Sequence, residues 1–82
     1  RNHGTLICGR TIHETYIMSN HLENACRTQV AAMAAHDDLI MPDEATCQKA
    51  VNDLLGFEQD LGMRDWQALL RLLERKGINY KD

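Results

Sequence analysis

Eighty-two residues hold at most one small domain with a modest core. Nine Lys and Arg against twelve Asp and Glu give a net charge of −3, which removes the electrostatic case for nucleic acid. No apolar run approaches the ~20 residues of a membrane helix, so neither nucleic acid nor a membrane is expected as a partner.

The chain opens Arg1-Asn2-His3-Gly4-Thr5-Leu6-Ile7-Cys8-Gly9-Arg10-Thr11, without an initiating methionine. It reads as a piece of a longer domain. Asn2 and Gly4 tolerate the positive φ of a sharp turn, Thr5–Cys8 reads as a short apolar strand, and Gly9 closes it. Thr11 and Glu14 stand at capping-box spacing, the hydroxyl serving one free helix N–H and the carboxylate reaching back to another. His3 is then delivered by a turn at a strand end, with a helix anchored behind it. A metal ligand needs that rigid delivery, although a single histidine near a chain start is more often a surface residue.

From about Ile12 to His36 the chain has neither proline nor glycine and reads as one helix. Ile12, Tyr16, Ser19, Leu22, Cys26, Val30 and Met33 recur at helical spacing and define a stripe. Ala31, Ala32 and Ala35 on another side let a second element approach closely, so the helix suits a layered interior or a subunit contact. Glu23 falls on the stripe, and Arg27 four residues later is in the favourable order for an ion pair. His13 and His21 project away from the stripe, are not four residues apart, and read as solvated. His36-Asp37-Asp38 reads as a solvated turn.

Pro42 suits the first position of a second helix, with Asp43 and Glu44 complementing its dipole. That helix runs to Leu55, with a weak apolar face of Cys47, Ala50, Val51, Leu54 and Leu55, and Gly56 stops it. Phe57 to Gly62 reads as a polar connection. The last helix spans about Met63 to Lys76, with Gly77 as its C-cap. Trp66, Leu69, Leu70 and Leu73 form a clean stripe on it, and such a stripe is core or interface. Cys8, Cys26 and Cys47 are odd in number and far apart, with no C-x-x-C pair. They read as small buried thiols of a reducing compartment, Cys8 first among them, and hence of a cytoplasmic protein.

The run Asn2-His3-Gly4, then Gly9-Arg10-Thr11, then Leu22 to Gln29 (LENACRTQ) resembles the class II aldolase/adducin family. So do Trp66-Gln67-Ala68-Leu69-Leu70-Arg71 and the final Tyr80, whereas Asp37 to Met63 matches loosely. The resemblance implies an α/β fold class: residues 1–82 as the C-terminal part of a three-layer α/β/α class II aldolase-like domain, one strand followed by about three helices. It implies a divalent metal, commonly zinc, held by three histidines. His3 matches the third, and the H-x-H that supplies the other two is not in this chain. The implied activity is that of a metal-dependent lyase on a small hydroxy-carbonyl, sugar-phosphate-like substrate, the metal acting as a Lewis acid on an enediolate. The 82 residues by themselves would be inactive, because catalytic zinc takes three protein ligands. A non-enzymatic adducin-like role, or that of a family epimerase or decarboxylase, is the alternative. The family pattern also implies a homotetramer, with the C-terminal helix at a subunit contact.

Overall fold

The structure, a computed structural model, describes residues 3–81. They form three helices: α1 (Ile12–Ala35), α2 (Glu44–Leu55) and α3 (Met63–Arg75). Among the described residues there is no strand, and this overturns the α/β reading. Thr5–Cys8 lies outside any strand because a strand exists only through a ladder partner, and the rest of the described chain is helix or short connection. Residues 5–9 instead double back beside α1. Gly9 sits against Thr15, while Thr5 and Ile7 share a small cleft with Ser19, Leu22, Glu23 and Cys26.

The first two helices start at a side-chain cap. Thr11 Oγ1 accepts the Glu14 N–H at 3.2 Å and opens α1. The second half of the expected capping box is not made: the Glu14 carboxylate takes the backbone N–H of Arg10 at 3.2 Å and its guanidinium at 2.8–2.9 Å. α2 is capped by Asp43, whose Oδ1 accepts the Thr46 N–H at 2.8 Å, so Pro42 precedes the cap rather than filling the first helical position. α3 follows Gly62 at φ +87 and gives way to Gly77 at φ +66, the left-handed C-terminal residue expected.

The core is small and lies at one end of α1. Ile17 and Leu61 are its buried apolar side chains, with His13 beside them. α1 and α3 are the helix pair in contact among the described residues, and Tyr16 and Trp66 meet edge to face with centroids 5.7 Å apart. Most of the α1 stripe is uncovered: Ile12 is 66% and Val30 68% exposed. The buried apolar residue of α1 is Ile17, which the stripe omitted, because α3 approaches the side of α1 that carries His13 and Ile17. Among the described residues α2 packs against neither α1 nor α3.

The areas measure how open this arrangement is. The chain exposes 7364 Å² at 9.4 kDa, against roughly 5,000 Å² for a folded monomer of that mass. Its radius of gyration is 16.3 Å, where a compact chain of this length has about 12 Å. Three capped helices are therefore present with little to hold them to one another.

Candidate metal-ligand turn and its anchoring

His3 lies in a bend, exposed, and is followed by Gly4 at φ +122, a backbone conformation that favours glycine. Asn2, the other expected turn residue, lies outside the described residues. From this turn the chain passes along α1 to an elbow at Gly9–Thr11. There Arg10 is clasped to Glu14 by its backbone N–H, Nε and Nη2. The guanidinium's hydrogen bond, followed by the Arg10 backbone N–H, holds the Glu14 carboxyl below its ordinary pKa. Thr15 Oγ1 donates to the Thr11 carbonyl at 2.8 Å and ties down the turn's inner side.

A second anchor meets the first turn of α1 from the chain between α2 and α3. His13 Nε2 lies 2.6 Å from Asp60 Oδ1, and the imidazole is nearly enclosed while the carboxylate is half exposed. A carboxylate can only accept, so Nε2 is the protonated nitrogen. Gly62 sits so close behind His13 that a Cβ there would stand 2.6 Å from the His13 carbonyl oxygen and 2.7 Å from Ile17 Cγ1. The Gly62 N–H is held in turn by Glu58 Oε1 at 2.5 Å. This knot corrects two expectations. His13 is buried rather than solvated, and the connection Phe57 to Gly62 supplies Leu61 to the core rather than being merely polar. A sequence signal for it exists: Leu61 and Trp66 stand at the N′ and N4 spacing of a hydrophobic staple around the Gly62 cap.

The remaining expected features are scattered. Glu23 and Arg27 form their ion pair at 2.8 Å on an exposed face. Cys8, Cys26 and Cys47 are free, and all three are exposed, so the reading of Cys8 as a buried thiol is overturned. Its place on an unpaired segment leaves nothing to cover it. His21 is exposed and lines an open groove with Asn20, Asp65 and Arg75.

As a metal centre these residues are incomplete. No group of three or more His, Cys, Asp or Glu among the described residues could hold an ion. His3 offers one imidazole, and one imidazole does not hold zinc against water. The described residues therefore do not fit a whole divalent-metal site. What they do make is an apolar groove of about 310 Å³ on α3, lined by Tyr16, Trp66, Leu69, Leu70, Leu72 and Leu73. No helix is long and apolar enough to cross a membrane among the described residues.

No family model matches the chain, and no solved structure matches it significantly. Curated proteins do. A protein of Caulobacter vibrioides named "Putative aldolase class 2 protein" is 34% identical over 83 aligned positions, spanning 100% of this chain and 32% of its own length. A protein of Pseudomonas aeruginosa with the same description is 32% identical over 98% of this chain and 32% of itself. Adducin-related protein 1 of Caenorhabditis elegans is 32% identical over 90% of this chain and 12% of itself. The chain is thus a relative of the class II aldolase/adducin family along its length. It spans about a third of the first relatives it matches and about an eighth of the adducin-related one.

Proposed function

We propose that residues 1–82 are the C-terminal part of a single class II aldolase/adducin-like domain, and that the whole protein is a divalent-metal-dependent lyase. Its substrate is a small hydroxy-carbonyl compound of the sugar-phosphate type. His3 supplies one ligand to the metal, zinc on the family's pattern, and the remaining ligands come from outside these residues. When bound, such a metal supplies Lewis-acid polarisation of a substrate oxygen. The residues described here present the imidazole and pack the domain.

The observation that carries this reading is the alignment of essentially the whole chain with two proteins described as class 2 aldolases, joined to an exposed histidine in the sequence Asn-His-Gly. The excess of exposed apolar surface agrees with it, because these helices need a larger body to pack against. On the same pattern the whole protein is a cytoplasmic homotetramer, and the Trp66-Leu69-Leu70-Leu73 stripe of α3 lies at a subunit contact.

The adducin-like alternative rests on its own observation, a comparable identity to adducin-related protein 1 over 90% of the chain. Metal analysis of the full-length protein separates the two. The lyase reading predicts bound zinc or another divalent ion at close to one per subunit, most of it lost in His3→Ala together with carbon–carbon cleavage activity. Equal metal content in wild type and His3→Ala removes His3 from the site, and a metal-free, inactive wild type favours the adducin-like role.

A further inference from the structure

We infer that Gly9 is a positioning residue: its missing side chain lets residues 3–8 fold back against α1 and so fixes where the His3 turn is presented. A Cβ at Gly9 would stand 2.5 Å from Thr15 Oγ1, 3.0 Å from the Thr15 nitrogen and 3.2 Å from its Cα. None of the three can yield easily. The hydroxyl is engaged with the Thr11 carbonyl at 2.8 Å, and the Thr15 N–H closes the first helical turn on the same oxygen at 3.0 Å. The chain cannot retreat on the far side either, because Arg10 is clasped to Glu14 through its backbone and its guanidinium.

Any side chain at position 9 must therefore lift residues 3–8 away from α1. From Gly9 to His3 is six residues, a lever of about 20 Å in extended chain, so a small change of angle at the elbow displaces the histidine by much more. The docked course is marked by Thr5 and Ile7, which share a cleft with Ser19, Leu22, Glu23 and Cys26. The consequence for His3 as a ligand rests on the function proposed above, whereas the placement of residues 3–8 does not.

The test uses the full-length protein with Thr5→Cys beside the native Cys26, Cys8 and Cys47 being changed to serine. A short bis-maleimide should link Cys26 to the new thiol readily when residue 9 is glycine. In Gly9→Ala the rate should fall roughly tenfold, as expected of an overpacked contact that disfavours the docked arm, while the helical circular dichroism stays unchanged. Gly9→Ala with Thr15→Ala removes the nearest of the three atoms and should recover part of the rate. An unchanged rate in Gly9→Ala overturns the inference. Failure to crosslink in the Gly9 protein also overturns it, whether or not the alanine variants fold, because residues 3–8 are then not docked against α1. Retention of metal in His3→Ala would overturn the ligand assignment and leave this crosslinking result standing.

Discussion

Among single residues, the knot at the start of α1 concentrates what tertiary order the chain has. His13, Asp60, Leu61 and Gly62 join the first turn of α1 to the chain entering α3. The His13–Asp60 contact joins residues 47 apart in sequence, so its loss weakens the tie between the first turn of α1 and the chain entering α3. Asp60 is 55% exposed, and water replaces the bond at its end, which limits the net gain to about 1 kcal/mol. A double-mutant cycle of His13→Ala and Asp60→Ala in the full-length protein, read as hydrogen exchange at the first turn of α3, should return a coupling near that size. Strict additivity would mean the contact is incidental. The knot was hard to read in the sequence because His13 lies off the apolar stripe, and its partner sits in a segment rich in polar residues. Only contact between distant parts of the chain makes either residue interior.

For the helices, capping and breaks decide more than apolar pattern does. Hydrogen bonds from Thr46, through its side chain and its backbone N–H, hold the Asp43 carboxyl below its ordinary range. The native pKa is thus the lower one, and Asp43 contributes stability that is complete above its unfolded value and is lost as pH falls through the folded one. Amide exchange in the first turn of α2 should accordingly quicken on acidification below about pH 4, and Asp43→Asn should remove that acid step. An acid response identical in Asp43→Asn would place its cause elsewhere. All three helices were legible in the sequence to within a residue or two, since Thr11, Asp43, Gly56 and Gly77 mark their ends by local chemistry. The strand at Thr5–Cys8 was misread for a complementary reason. Apolar composition and flanking glycines are local, but a strand is a pairing, and these residues find α1 instead of a ladder.

For the molecule as a whole, the dominant feature is apolar surface left uncovered. The groove of Tyr16, Trp66, Leu69, Leu70, Leu72 and Leu73 is open, and on α1 Leu22, Val30 and Met33 are left exposed. The stripes themselves were visible in the sequence. Which of them would be covered was not, because that depends on what α1 and α3 meet, and α1 meets α3 along only part of its length. The exposed area exceeds that of a compact monomer by roughly 2,300 Å², comparable with what one subunit contributes to a large obligate interface. Buried apolar surface is the main stabilising term in folding, and a core of Ile17 and Leu61 supplies little of it. The most direct measurement is the thermal unfolding of residues 1–82 alone, followed by circular dichroism and sedimentation and set beside the same segment in the full-length protein. A broad, non-cooperative transition or aggregation is expected for the isolated residues, and cooperative unfolding only within the larger protein. A sharp two-state melt of a monomeric 82-residue chain would contradict this expectation.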